Sequence, residues 1–142
     1  MDGNASGEIT RCDPPTAFDL TWEYAENVSW VTVRLEPVAD GTRLTLEHIM
    51  AKDEASEAHW KKFGPGATGV GWDLSFMGLG LHLVRGDSID QKKNNAWMAS
   101  VEGKSFIRNC ARAWGDAHVE CGEDAEVALA MADETANFYC GE

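Results

Sequence analysis

Basic residues are scarce in this sequence and absent from its C-terminal part. Twelve Lys and Arg stand against 24 Asp and Glu, a formal net charge of −12 at pH 7, and no Lys or Arg follows Arg112. Nucleic-acid binding depends on cations that neutralise phosphates, and anionic lipid surfaces attract the same cations. The sequence therefore predicts neither a nucleic-acid partner nor a membrane partner.

Cysteines are few, far apart and never in a C-x-x-C arrangement. A chain of 142 residues with 44% hydrophobic residues can bury a core without a disulfide framework. The four histidines include no pair at the i, i+4 spacing of a helical metal site. The sequence thus predicts that the thiols are buried or have no chemical role. It predicts no metal site and no cofactor.

Long apolar runs are also missing. The longest, Leu74 to Leu81, is too short to span a bilayer and is flanked by Asp73 and His82. The segment Met1 to Asn4 has neither the basic region nor the apolar run of a signal peptide. These features predict a soluble cytoplasmic protein.

No Ser, Cys, Asp or Glu has the sequence context of a nucleophile elbow, a kinase loop or a metalloprotease helix. Neighbouring carboxylates such as Glu54 and Glu57 lie in polar runs typical of solvated surfaces. The sequence predicts no catalytic residue, and an enzymatic role is the less favoured alternative.

What the first 50 residues do contain is alternation with a period of two, which predicts β-strands with one buried row and one solvated row. An earlier strand is expected over Ser6 to Cys12, and turn residues such as Glu26-Asn27 separate the later ones. Connections this short leave no room for crossover helices, so the sheet is predicted to be antiparallel. The buried row is predicted to comprise Phe18, Leu20, Trp22, Tyr24, Ser29, Val31, Val33, Leu35, Leu44, Leu46 and His48.

Helical spacing replaces the alternation after Met50. A short helix or lid is predicted over Lys52 to Lys62, and a long helix that is apolar on most sides over Pro65 to Leu83. The polar stretch Arg85 to Asn95 is predicted to be a loop, followed by helices over Ser105 to Val119 and Glu123 to Phe138. The predicted fold class is α+β, with a helix packed on an antiparallel sheet.

The segment Gly64 to Gly69 spells G-x-G-x-x-G, the dinucleotide-binding pattern, but no buried strand precedes it. The alternative is that glycines at the start of the long helix permit close approach of another chain segment or leave room for a ligand. Gly78 and Gly80, inside that helix, indicate either close packing or room left for a ligand, and close packing is the preferred interpretation there.

Two further features of the sequence each admit two interpretations. His48 is either a hydrogen-bonded histidine at a strand end or the polar tip of an apolar pocket that orients a ligand. The six tryptophans are either core residues or the lining of such a pocket, with the indole N–H as donor.

Three sequence blocks resemble, in order and spacing, the activator of heat-shock protein 90 ATPase-like family of the SRPBCC superfamily, which has the START or helix-grip fold. They are Gly7-Glu8-Ile9 through Leu20-Thr21-Trp22, Val31 through His48, and Trp60 through Trp72. The resemblance covers about residues 6 to 83. It implies a curved antiparallel sheet wrapped around a long helix, with a hydrophobic cavity between them.

The resemblance also carries expectations about organisation. Family members have a strand, two short helices and further strands before the Gly-Glu-Ile block, so the N-terminal part of the family domain is expected to be missing here. Residues 1–86 are expected to form a truncated sheet with its gripping helix. Residues 87–142 are expected to form an acidic helical extension packed on the same domain. Either that extension or a second copy of the chain would then cover the sheet, so a homodimer that completes the sheet is one of the two expected arrangements.

The function implied by this model is non-catalytic binding of a lipophilic small molecule. The family name leaves open a co-chaperone or stress-related interaction module with a chaperone partner, and helix-grip cavities leave open a cyclase-like or hydrolytic enzyme. The ligand-binding residues predicted on this model are Leu20, Trp22, Val33, Leu46, His48, Trp72, Phe76 and Leu79.

Overall fold

The computed structural model describes residues 5–24, 27–86 and 88–142. The chain divides into two compact units, Met1–Ser56 and Glu57–Glu142. In chain order the elements are β1 (Ile9–Asp13), β2 (Ala17–Tyr24), β3 (Asn27–Val38), β4 (Gly41–Met50), α1 (Glu54–Phe63), α2 (Gly66–Arg85), α3 (Gln91–Met98), α4 (Val101–Glu120) and α5 (Ala125–Cys140).

The first unit holds a four-stranded antiparallel sheet in the order β1-β2-β3-β4. Each strand pairs with its sequence neighbour, as the short connections predict, and a register irregularity interrupts the β1–β2 pairing between Ile9 and Arg11. Val31 and Val33 of β3 are buried, because β3 is a central strand and these residues point to the apolar face. The predicted antiparallel sheet is therefore confirmed. Residues 1–4 and Glu26, part of a predicted turn, lie outside the described residues.

The second unit is helical, and α1, α2, α4 and α5 begin and end within four residues of the predicted positions. Ser100 accepts a hydrogen bond from the Gly103 N–H at the start of α4, and Asp124 accepts bonds from two N–H groups at the start of α5. Gly86, with a φ of 76°, ends α2 in the left-handed conformation that glycine adopts without strain.

The prediction of a loop over Arg85 to Asn95 is wrong for its second half, where α3 begins. The side chain of Asp90 caps this helix by accepting a bond from the Lys93 N–H. Helix α3 starts with polar residues and so lacks the apolar periodicity on which the prediction relied. The Asp90 cap was the signal that could have revealed it.

The core of the second unit forms where α2, α4 and α5 meet. Its buried members are Val70, Ile107, Ala111, Ala136 and Cys140. Glycines bring α2 close to the other two helices. A Cβ on Gly69 would lie 2.1 Å from the Trp114 ring, and one on Gly66 would lie 2.8 Å from the Thr135 hydroxyl. The start of α2 is therefore closely packed. At Gly80, where close packing was the preferred interpretation, no described heavy atom would come within 4 Å of an added Cβ.

The division into units falls after Ser56, whereas the sequence predicted a division after residue 86. Helix α2 belongs to the second unit because its buried, glycine-rich start packs against α4 and α5. The grouping of α2 with the sheet, and the packing of residues 87–142 on it, stay predictions. No helix in the described part of the chain is both long enough and apolar enough to cross a membrane.

Candidate functional site

Five of the eight predicted ligand-binding residues lie on one face of the sheet. The register places Val33 opposite Leu46, and places Val31 between Leu20 on one side and His48 on the other. Residues directly opposite each other in adjacent strands point to the same face. The face that alternation predicted is therefore continuous across β2, β3 and β4. Its predicted ligand-binding members are Leu20, Trp22, Val33, Leu46 and His48.

Two hydrogen bonds link three residues at one end of this apolar face. The Ser29 hydroxyl donates to the backbone carbonyl oxygen of Trp22 at 3.1 Å, and the Nε2 atom of His48 lies 2.8 Å from the same hydroxyl oxygen. The indole of Trp22 and the imidazole of His48 lie 6.4 Å apart between ring centroids, tilted by 56°. We name Trp22, Ser29 and His48 the polar trio.

Ser29 was not among the predicted site residues, although it is 8% exposed and bonds to two of the strands around it. Its position in the apolar row of β3 was the signal available in the sequence. A serine in an otherwise apolar row needs a hydrogen-bond partner when it is buried, and the neighbouring strands supply His48 and the Trp22 carbonyl.

The environment of His48 favours its neutral form. The side chain is half-buried, and removal from water lowers the pKa of the imidazole from its usual value of 6.5. The bond to Ser29 agrees with the interpretation of His48 as a hydrogen-bonded histidine at a strand end. Its role towards a ligand stays a prediction.

The other three predicted residues, Trp72, Phe76 and Leu79, follow one another at i, i+4 and i+7 on a single face of α2. The rings of Trp72 and Phe76 lie 6.3 Å apart between centroids. Phe76 is 38% exposed and Leu79 is 41% exposed. They form an apolar stripe in the second unit, and their membership of the same site as the sheet residues stays a prediction.

Two polar groups inside the second unit have hydrogen-bond partners on other helices. The indole N–H of Trp114 donates to Asp73 at 2.9 Å, and the Tyr139 hydroxyl donates to the Ala67 carbonyl at 2.7 Å. Burial, together with the charge of Asp73, raises the pKa of the Cys110 thiol to about 11, so this thiol is protonated at neutral pH. These contacts tie α2 to α4 and α5.

A pocket of about 350 Å³ opens between α4 and α5, and the sequence reasoning did not anticipate it. The two arginines that line it form ion pairs with neighbouring carboxylates, Arg108 with Glu142 at 2.7 Å and Arg112 with Asp116 at 3.1 Å. The lining residues are Arg108, Arg112, Ala132, Asp133, Ala136 and Asn137. In the part of the chain that the structure describes, no three His, Cys, Asp or Glu residues converge to hold a metal ion.

The chain is similar to known proteins in sequence and in fold. The family model described as Activator of Hsp90 ATPase homolog 1-like protein matches residues 1–83. Among solved structures, the chain is similar to CalU16 from Micromonospora echinospora, with 31% sequence identity and a TM-score of 0.56. That similarity covers 82% of this chain and 60% of CalU16, so this chain spans less than two thirds of that protein. The search of curated proteins finds no match.

The matched residues comprise the whole sheet, α1 and most of α2, which is more than half of the chain. The match confirms the resemblance stated from the three sequence blocks, and the structural similarity confirms the α+β, helix-grip-like class of fold. The chain therefore belongs to the Activator of Hsp90 ATPase homolog 1-like family.

Proposed function

We propose that this protein binds an apolar small molecule on the apolar face of its sheet, with the polar trio meeting the ligand's polar end. The observation that supports this most directly is the position of His48 and Ser29 within an otherwise apolar row. Binding sites for small molecules are mostly apolar with a few convergent polar groups that fix orientation. The sheet face has that composition.

Burial would supply the affinity. Each 100 Å² of apolar surface removed from water contributes about 2.5 kcal/mol before the costs of association are subtracted. The indole of Trp22 is 38% exposed, so it offers apolar surface that a ligand can cover. The hydrogen bonds of the trio would then decide which end of the ligand faces His48.

Thermal unfolding in the presence of a panel of lipophilic small molecules tests the proposal. A ligand that binds only the folded protein, at a free concentration of about 100 times its Kd, stabilises it by about 2.7 kcal/mol. We expect at least one ligand class to raise Tm by several degrees. A panel that leaves Tm unchanged throughout would count against the proposal.

A matched pair of variants locates the site. Leu46→Asn places an amide on the apolar face, whereas Thr45→Asn places the same amide on the opposite face of the same strand, where Thr45 is exposed. We expect the first variant to reduce the ligand-induced rise in Tm and the second to keep it. Equal effects of the two variants would show that the ligand binds elsewhere.

A second candidate function, a chaperone-interaction module, rests on the family description and on the net charge of −12. An acidic surface would engage a basic patch, and such binding weakens as salt screens it. We would measure the ATPase activity of purified heat-shock protein 90 with increasing amounts of this protein at low and moderate salt. A salt-sensitive increase supports this function, and an unchanged rate at low salt contradicts it.

A further inference from the structure

We propose that the pocket between α4 and α5 binds an apolar α-amino acid in its zwitterionic form, with the carboxylate held from α4 and the ammonium group held from α5. All residues that line this pocket belong to the second unit. The proposal therefore does not depend on what the sheet face of the first unit binds.

The two walls of the pocket differ in charge. Arg108 and Arg112, one turn apart on α4, form the basic wall. Asp133 and Asn137, one turn apart on α5, form the acidic wall. Among the described residues, no ion pair joins Asp133 to either arginine. Opposite charges that line one pocket without meeting can both be satisfied by a ligand that carries both signs.

The basic wall holds a carboxylate of the chain itself, the side chain of Glu142. The Nη2 atom of Arg108 lies 2.8 and 2.7 Å from its two carboxylate oxygens, and the Nζ atom of Lys104 lies 3.1 Å from one of them. The hydrogen bonds from Arg108 and Lys104 lower the pKa of the Glu142 carboxyl group. Charged donors on α4 therefore stabilise an ionised carboxylate at one end of the pocket.

Arg112 is the residue of the basic wall that can take the carboxylate of a ligand. Its ion pair with Asp116 uses the Nε atom, at 3.1 Å, and its two terminal nitrogens have no partner in the part of the chain that the structure describes. Four of the five N–H donors of a guanidinium belong to those terminal nitrogens, and they match the two oxygens of a carboxylate. The pair with Asp116 is exposed and therefore holds the side chain weakly.

The acidic wall offers acceptors for an ammonium group. The side chains of Asp133 and Asn137 bond to no other described residue. An ammonium group has three donors, so it can bond to the Asp133 carboxylate and the Asn137 amide oxygen together. Between the walls lie the methyl groups of Ala132 and Ala136, which are 4% and 8% exposed. They give the apolar side chain of an amino acid a surface to cover.

The charge balance favours a zwitterion over a simple anion. The ionic groups that line the pocket, together with their partners, are three cations and three carboxylates, whose formal charges cancel: Lys104, Arg108, Arg112, Asp116, Asp133 and Glu142. The chain as a whole carries −12 and repels free anions. A zwitterion adds no net charge, and each of its ends meets a wall of the opposite sign.

Three probes with one side chain test the proposal: leucine, N-acetylleucine, which lacks the ammonium group, and leucinamide, which lacks the carboxylate. Each is titrated at neutral pH into nitrogen-15-labelled protein, and the backbone amide signals are followed by NMR. We expect leucine to bind with its largest shifts in α4 and α5, and each blocked probe to bind about tenfold more weakly, because it loses a hydrogen bond between charged groups. Absence of leucine binding, a blocked probe that binds as tightly as leucine, or largest shifts in the sheet would overturn the proposal.

A matched pair of variants tests the acidic wall. Asp133→Asn removes the carboxylate at an exposed position, so leucine should bind about tenfold more weakly while N-acetylleucine, which has no ammonium group, keeps its affinity. Glu134→Gln makes the same change of net charge at the next residue, which is also exposed and lies outside the pocket lining, and should leave both affinities unchanged. Equal losses of leucine affinity in the two variants would overturn the proposal.

The variant Arg112→Gln tests the basic wall. It should weaken leucine and N-acetylleucine by about tenfold, because both carry the carboxylate, and leave leucinamide unchanged. An equal loss for all three probes would mean that Arg112 acts only on the structure of the pocket, which contradicts the proposed orientation of the ligand.

Discussion

Burial changes the protonation equilibria of individual side chains in this protein. His48 and Cys110 belong to residue types that titrate at or near physiological pH, and both are held in their neutral forms by removal from water. Ser29 is equally unremarkable in the sequence, yet its buried hydroxyl links the Trp22 carbonyl oxygen to the Nε2 atom of His48. Two predictions follow from these environments.

The first concerns stability against pH. The folded-state pKa of His48 lies below its usual value of 6.5, so the unfolded chain binds this proton more readily than the folded protein does. His48 therefore contributes stability above pH 6.5 that is lost as the pH falls through the folded-state pKa. We expect the free energy of unfolding, measured by urea denaturation from about pH 8 to about pH 5, to fall less steeply in His48→Gln.

The other three histidines are common to both proteins and cancel in that comparison. Identical slopes for the wild type and His48→Gln would contradict the assignment of a depressed pKa to His48.

The second prediction concerns thiol reactivity. Cys12 and Cys121 are exposed, Cys140 is buried, and Cys110 is half-buried with a pKa of about 11. Because the thiolate is the reactive form, a maleimide should modify Cys12 and Cys121 promptly in the native protein, and Cys110 and Cys140 only after unfolding. Peptide mass mapping over time identifies the sites. Labelling of Cys110 at the rate of Cys121 would refute the expectation.

Helix α2 shows that one element can contain glycines with opposite packing roles. Gly69 lies against the ring of Trp114, whose indole N–H is bonded to Asp73 and cannot easily move away. Gly80 lies about three turns further on, where no described heavy atom would come within 4 Å of an added Cβ. The spacing of glycines in the sequence does not distinguish these two positions, but their tertiary surroundings do.

A pair of identical substitutions tests this difference. Gly69→Ala should destabilise the protein by about 1–3 kcal/mol or more, because the new methyl group overlaps the Trp114 ring. Gly80→Ala should stabilise it by about 1 kcal/mol, because alanine favours the helix and meets open space. Urea denaturation of both variants measures the changes. Equal effects would contradict the contact between α2 and α4.

The molecule as a whole combines a small open sheet with a larger helical unit. The sheet ends on β1 at one side and β4 at the other. Strand β1 has five residues and an irregular register, which discourages further pairing. Strand β4 has ten residues in regular register with β3, and is the better template for an added strand.

The predicted homodimer would therefore pair through β4. We expect size-exclusion chromatography with light scattering to give a mass twice the 15.5 kDa of one chain. Ile49→Lys places a charge near that edge and should shift the protein to monomer, whereas Val127→Lys, at a similarly exposed residue of α5, should not. A monomeric wild type would refute this association.

Much of the fold was predictable because the signals are local. Alternation in β2, β3 and β4 correctly indicated the strands and the face that holds Leu46 and His48, since side-chain direction in a strand has a period of two. The long apolar helix and the last two helices were predictable for the same reason with a period of 3.6. Helix α3 was missed because its first turns are polar, and the Asp90 cap was the one local signal of its start.

The sequence by itself determined which residues share the apolar row, since that depends only on neighbours along the chain. The tertiary structure decided which groups of that row, and of other elements, come into contact. It placed Ser29 between Trp22 and His48 from two other strands, and it placed Gly69 of α2 against Trp114. Hydrogen-bond partners and helix contacts depend on register and packing between segments far apart in the chain, and no local pattern encodes them.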